Sequence, residues 1–300
     1  HARRGGFSAV RAPPPATVAR LPSTGSVQEG RATTGFPLGF GLEGRSSGGF
    51  LARMRKGDVR KFYGQEAVIE HYAKATAEVG LWRSEEKVFT RVFSPEDSIL
   101  ELGCGTGRIA IGLHELGYRK IFATDYARKM VARARSAAQI LGYDLSFGVQ
   151  DATDLDFGDE VFDGAIFGFN GLMQIPGRDS RFRALREIFR VLRPGSWFVF
   201  TSHDRQASEH PHFWKAETKR WREGKQDPDL AEFGDRIGGT PWGDLYIHVP
   251  EANALRADLK EAGFRIEADT LRSTLAEEPP AVKDFSDECR FWVAQKPDRD

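Results

Sequence analysis

The chain of 300 residues predicts an α/β fold built on a doubly wound, parallel sheet with helices on both faces. Two observations predict it. Short apolar runs alternate with stretches of helical period from residue 98 to residue 201, the pattern of strands joined by crossover helices. The first run, Ile99-Leu100, enters a glycine-rich turn, Glu101-Leu102-Gly103-Cys104-Gly105-Thr106-Gly107, and the turn enters a helix. A strand, a glycine turn and a helix bring backbone N–H groups against a nucleotide-like ligand.

The elements follow in order. Residues 65–79 carry Val68, Ile69, Tyr72, Thr76 and Val79 at helical spacing. A second helix is predicted after Ser84 as N-cap, with Glu85 and Glu86 in its first turn and Val88, Phe89 and Val92 as its apolar stripe. Strand one spans 98–102. The helix after the glycines runs to about His114, with Gly117 as its stop. Lys120 to Asp125 is strand two, 127–141 an Ala- and Arg-rich helix, Leu145 to Val149 strand three and Phe162 to Phe167 strand four. The helix 178–192 places Phe182, Leu185, Ile188, Phe189 and Leu192 toward a core. Arg193-Pro194-Gly195 reads as a turn before strand five, Trp197 to Thr201. Residues 203–249 break the alternation and are rich in His, Trp, Asp and Gly. A helix at 251–262 and strands at 264–268 and 290–294 complete the pattern.

Residues 1–53 differ in composition. They hold Pro13-Pro14-Pro15, no Lys or Asp, and only Glu29 and Glu43 as acids. Such a segment buries too little to offset its ordering entropy. It reads as a disordered or non-native extension, with Met54 as a candidate start; a transit peptide is the alternative. The folded domain is therefore expected over 54–300.

Lys plus Arg equals Asp plus Glu, 43 each, which argues against a strong nucleic-acid binder. No apolar stretch approaches the ~20 residues of a membrane span. Cys104 and Cys289 are too far apart in sequence for a metal-type pair. Reduced thiols in a cytoplasmic protein are the expectation.

Gly103, Gly105 and Gly107 permit close approach of a ligand to the backbone. A dinucleotide fingerprint would need its third glycine at 108, and that residue is Arg108. This departure argues against a nicotinamide cofactor. Asp125 ends strand two about 20 residues after the glycines, where a carboxylate accepts from both ribose hydroxyls. Asp151 ends strand three, where it can accept from an exocyclic adenine amine, and Phe167 to Asn170 end strand four beneath the transfer point. Singly, Asp125 reads as a helix cap and Asp151 as a turn residue; together, each at its strand end, they read as one site.

These residues resemble the class I S-adenosylmethionine (SAM)-dependent methyltransferases across 98–201. The stretch 101–107 looks like their first motif, and Asp125, Asp151-Ala152 and Leu192-Arg193-Pro194-Gly195 look like later ones. The resemblance implies a Rossmann-like seven-stranded sheet whose last strand runs antiparallel beside the fifth. It implies SAM as cofactor, held by Glu101, Gly103, Cys104, Gly105, Gly107, Asp125, Tyr126, Met130, Asp151, Ala152, Phe167 and Tyr72. The Asp/Asn-Pro-Pro-aromatic motif of nucleic-acid amino methyltransferases is absent: that position reads Phe167-Gly168-Phe169-Asn170-Gly171. The paired glutamates of protein arginine methyltransferases are absent too. A small-molecule acceptor is the expectation; a protein or RNA acceptor, or a non-catalytic SAM-binding role, are the alternatives.

Methyl transfer from a sulfonium is an in-line displacement that rests on proximity and alignment. An oxygen or carbon acceptor can also need a base. His203 is the candidate base and Asn170 the candidate acceptor-orienting group; a cap for His203 is the alternative. Residues 203–249 are expected to form an acceptor lid, with Asp204, Trp214, Asp235, Arg236 and Tyr246 lining it. Trp214 and Trp221, at i and i+7, equally fit a small satellite core. His203, His210 and His212 lack a ligand pattern, so no metal is expected.

Overall fold

The structure is a computed structural model and describes residues 54–299; the segment 1–53 lies outside them. Three helices come first: α1 (Lys56–Tyr63), α2 (Glu66–Glu78) and α3 (Arg83–Val92). The alternating unit follows as β1 (Ile99–Leu102), α4 (Arg108–Glu115), β2 (Ile121–Asp125), α5 (Arg128–Leu141), β3 (Ser146–Val149), β4 (Phe162–Phe167), α6 (Arg178–Val191) and β5 (Leu192–Ser202). Then come α7 (Pro211–Arg222), β6 (Asp235–Thr240), β7 (Gly243–His248), α8 (Ala252–Glu261), β8 (Arg265–Leu271), α9 (Arg272–Leu275), α10 (Pro280–Phe285) and β9 (Arg290–Gln295).

Seven strands form one sheet in the order β3-β2-β1-β4-β5-β9-β8, and β6 and β7 pair separately as a hairpin. β1 runs parallel to β2 and to β4, while β9 runs antiparallel to β5 and β8. The sheet is the Rossmann-like one the motifs imply. Alternate residues of β1 face opposite layers. Ile99 joins the core beneath α2 to α5, and Leu100 joins the one beneath α6 and α8. Chain order reverses at β1, with β2 on one side and β4 on the other, so a crevice opens above the carboxyl end of β1.

Three local expectations change. Ser84 lies inside α3, and Trp82 is the N-cap. The free N–H groups there are taken by the Glu85 side chain, which accepts from Trp82 N at 2.9 Å, and by Glu278, which accepts from Arg83 N and Ser84 N at 3.1 and 2.9 Å. A carboxylate nearly 200 residues away does the work that a local hydroxyl was expected to do. Arg193-Pro194-Gly195 lies within β5 as an irregularity in register, because Gly195 N still donates to Lys296 O on the neighbouring segment, at 2.9 Å. Finally, 203–249, which in the sequence only broke the alternation, forms α7 and the β6–β7 hairpin.

Candidate functional site

The crevice above β1 is a cleft lined from the ends of β1, β2, β3 and β4 and from α1 and α2. Gly103 and Gly105 form its floor. Both have positive φ, +63° and +54°, and a Cβ on Gly105 would project into open space. A side chain at 103 would instead meet the Phe167 ring, 2.8 Å from the Cβ position. Only glycine presents this backbone without strain.

Asp125 stands where β2 ends. Its two oxygens accept from Gly105 N at 2.9 Å and from Ala127 N at 2.7 Å, which fixes the carboxyl against the turn. Burial pushes it up to about 6, against the pull of those two N–H groups. Tyr126 and Met130 follow it along the wall of the cleft. Asp151 and Ala152 line the far end, and Phe167 the centre. Asp151 Oδ1 accepts from Thr153 N and Oγ1, at 2.9 and 2.7 Å.

Tyr72 lines the cleft from α2, as does a residue that sequence reasoning missed, Tyr63 at the end of α1. Their hydroxyls are hydrogen-bonded to one another, and Tyr63 also donates to Gln174 Oε1 at 2.7 Å. Burial holds both phenols in the protonated form, Tyr72 pushed up to about 12. Lys56 of α1 also lines the cleft and was missed. The signal was present: Lys56, Val59 and Tyr63 fall on one helical face at i, i+3 and i+7.

Glu101, Cys104 and Gly107 do not line the cleft. Glu101 lies buried beneath the turn with Oε2 unpartnered among the described residues. Burial pushes its carboxyl up to about 8, with the Arg108 guanidinium opposing. Gly107 packs instead toward Ala134, Ile111 and Phe147. The Cys104 thiol is buried, which raises it well above its ordinary range.

Asn170 and His203 form one unit. His203 Nδ1 lies 3.0 Å from the Glu288 carbonyl, and His203 Nε2 lies 3.1 Å from Asn170 Nδ2. A carbonyl only accepts, so Nδ1 carries the proton and Nε2 accepts from the Asn170 amide. Burial lowers the imidazole below its usual range, with the Glu288 carbonyl pulling the other way. Both ring nitrogens are thus engaged in a neutral ring. Asn170 Oδ1, in a side chain only 1% exposed, has no partner among the described residues. Phe169 and Asn170 both hold positive φ, +48° and +59°, conformations that cost non-glycine residues energy and concentrate at functional sites. Thr201 Oγ1 supports the bend by accepting from Asn170 N at 2.9 Å.

The expected acceptor residues do not share one surface. His203, Asp204, Trp214 and Arg236 line a second pocket, separate from the glycine cleft. Trp214 and Trp221 both pack edge-on against Phe233, the satellite-core arrangement. Asp235 and Tyr246 are buried: Asp235 Oδ1 accepts from Tyr246 OH at 2.6 Å and from His248 Nδ1 at 2.9 Å. Glu232, Asp235 and His248 approach a metal-ligand geometry. The cation beside them is Arg181, which donates to Glu232 Oε1 at 2.5 Å and to Tyr246 OH at 3.1 Å. His203, His210 and His212 form no ligand cluster among the described residues.

The residues present fit an adenosyl cofactor. The glycine backbone leaves open space, and two carboxylates, Asp125 and Asp151, stand at neighbouring strand ends in the cleft. Comparison with known proteins agrees. Residues 99–195 match the family model described as "Methyltransferase domain". An O-methyltransferase, cnsE, of Penicillium expansum is 32% identical over 194 residues, 64% of this chain and 60% of the relative. A demethylmenaquinone methyltransferase of Symbiobacterium thermophilum is 32% identical over 128 residues, 40% of this chain and 49% of the relative. The chain thus spans about half to three fifths of these relatives. Among solved structures, a SAM-dependent methyltransferase of Methanosarcina mazei superposes with a TM-score of 0.57 at 23% identity, over 71% of this chain and 98% of that one. The [4+2]-cyclase SpnF superposes at 0.59 and 20%, over 84% and all of that chain. Both likenesses are of fold.

Proposed function

We propose that this chain, whose core is a methyltransferase domain of the class I SAM-dependent superfamily, transfers a methyl group to a small-molecule acceptor. The observation that carries the reading is the convergence of Gly103, Gly105, Asp125 and Asp151 on one cleft from three separate strand ends. SAM, when bound, supplies a methyl group activated by a sulfonium. The Gly103 and Gly105 backbone and the Asp125 carboxylate would hold the ribose side and Asp151 the adenine amine. Tyr63, Tyr72, Phe167 and Phe169 would exclude water around the transfer point, and alignment is worth on the order of 7–11 kcal/mol in favourable systems.

His203 is better suited to positioning than to proton abstraction, because its only lone pair already accepts from Asn170. Asn170 lines neither the cleft nor the second pocket; fixed to His203 and Thr201, it supports the bend that brings Phe169 to the cleft. Names of relatives such as O-methyltransferase support a small molecule. Two buried free cysteines suit a reducing, cytoplasmic setting. Among the described residues no helix is long and apolar enough to cross a membrane.

Calorimetry with SAM, S-adenosylhomocysteine and NAD tests the cofactor. Binding of the first two and not the third is expected; NAD binding without SAM overturns the reading. Metabolite profiling with methyl-labelled SAM then identifies the acceptor. Binding without turnover on any extract would favour the non-catalytic alternative, and labelling of protein or RNA the macromolecular one.

A further inference from the structure

We propose that α1 is a strap across the adenine end of the cleft and that Lys56 is its latch, occupying the Asp151 carboxylate until the cofactor's exocyclic amine takes that place. The proposal rests on the cleft being the SAM site. Lys56 Nζ donates to Asp151 Oδ2 at 2.8 Å and to Thr153 Oγ1 at 2.7 Å. Thr153 already fills Asp151 Oδ1 with two donors. With both lone pairs of Oδ1 taken, an adenine amine must come to Oδ2, where the Lys56 ammonium already sits and crowds it.

The rest of α1 is arranged as a strap. Its face 56, 59 and 63 lines the cleft. Its middle is tied by Arg60, whose guanidinium lies 5.1 Å from the centroid of the Tyr126 ring, next to Asp125. Its far end is tied by Tyr63 to Gln174. The helix lines the cleft from Lys56, bonded to Asp151, to Tyr63, bonded to Gln174. The latch is built to release. Its side chains are 34% and 28% exposed, and ion pairs that exposed are weak and sensitive to salt.

A latch and an ordinary ligand contact predict different kinetics. A contact made only to bound ligand slows dissociation. A latch that must open first slows association, so its removal speeds entry. Stopped-flow binding of S-adenosylhomocysteine to the full chain separates them, using wild type, Lys56→Met and Lys56→Arg. Lys56→Met is expected to raise the association rate constant about three- to fivefold, the range for freeing an exposed ion pair. Lys56→Arg should stay near wild type, and wild type in about 0.5 M NaCl should move toward the Met variant. Amide exchange across 56–63 in the unliganded protein should quicken in the Met variant. An unchanged association rate with faster dissociation overturns the latch while leaving the cofactor site standing. Failure of wild type to bind S-adenosylhomocysteine overturns the cofactor reading and the latch with it.

Discussion

Arg108 grips Glu85 with both terminal nitrogens, at 2.5 and 2.6 Å, in a buried pair whose side chains are 10% and 1% exposed. The same guanidinium donates to the Gly80 carbonyl at 2.9 Å and lies 4.7 Å from the centroid of the Trp82 ring. It therefore welds α4, which opens from the glycine turn, to α3. The residue that departs from a dinucleotide fingerprint is a structural cation. Glu85→Gln leaves that cation short of a counter-charge and is expected to lower stability by about 3–5 kcal/mol. The double variant Glu85→Leu, Arg108→Met should recover most of the loss, since an apolar replacement of both partners removes both buried charges. Urea unfolding of the three proteins checks this, and a double variant as weak as the single one would contradict it.

Glu101 gives the unliganded protein a pH dependence of definite sign. Its carboxyl is raised from an ordinary 4.5 to about 8 by burial. Between those values the unfolded chain has lost the proton while the folded one keeps it. The stabilisation is complete below the unfolded value, falls as pH rises through this window and is gone above about 8. Glu101→Gln, which carries no titrating proton, should flatten that part of the profile. Thermal unfolding of both proteins from pH 4.5 to 9 reads the difference; parallel profiles would mean that Glu101 is ionised throughout.

Asp125→Ala is expected to weaken SAM binding by about 1–3 kcal/mol, since it leaves polar groups unpaired, which is about 5- to 150-fold in Kd. Asp125→Asn keeps one acceptor and should lose less. Calorimetry ranks the two, and equal affinity in all three proteins would remove Asp125 from the site.

His203 should titrate below a free imidazole, with the proton of its neutral ring on Nδ1. Long-range nitrogen–proton spectra of labelled protein report the tautomer directly. Asn170→Ala removes the donor to Nε2 and should shift that nitrogen's resonance. A proton found on Nε2, or protonation near pH 6.5, would return His203 to the role of base.

Gly103→Ala should destabilise more than Gly117→Ala. Both positions have positive φ, +63° and +101°, but only at 103 does a Cβ meet a neighbour, the Phe167 ring at 2.8 Å. The shared backbone strain is about 1–2 kcal/mol, and the ring contact adds to it at 103 alone. Paired urea midpoints measure the excess, and equal midpoints would show that Phe167 moves aside freely.

The sheet was legible because period is a local property. Alternating apolar runs mark strands and 3.6-residue spacing marks helices whatever lies beyond them. The β6–β7 hairpin was not, because Asp235, Tyr246 and His248 are polar residues buried as partners of one another and of Arg181. Burial of that kind leaves no hydrophobic signature on β6, although β7 carries the buried alternate pair Leu245 and Ile247. The helix α1 was missed because its inner face, Lys56, Val59 and Tyr63, carries only one aliphatic residue, and the N-terminus of α3 because its cap, Glu278, arrives from the other end of the domain.

By itself the sequence determined the glycine turn, the acids at the strand ends and the order of the elements, since each depends on neighbours along the chain. Tertiary structure alone decided which polar groups are spoken for. Lys56 holds Asp151, Glu85 holds Arg108, and Asn170 holds the lone pair of His203. Each of these pairs joins residues at least 23 positions apart. A charge or a lone pair acts through space, and only the folded chain fixes what lies within hydrogen-bond reach of it.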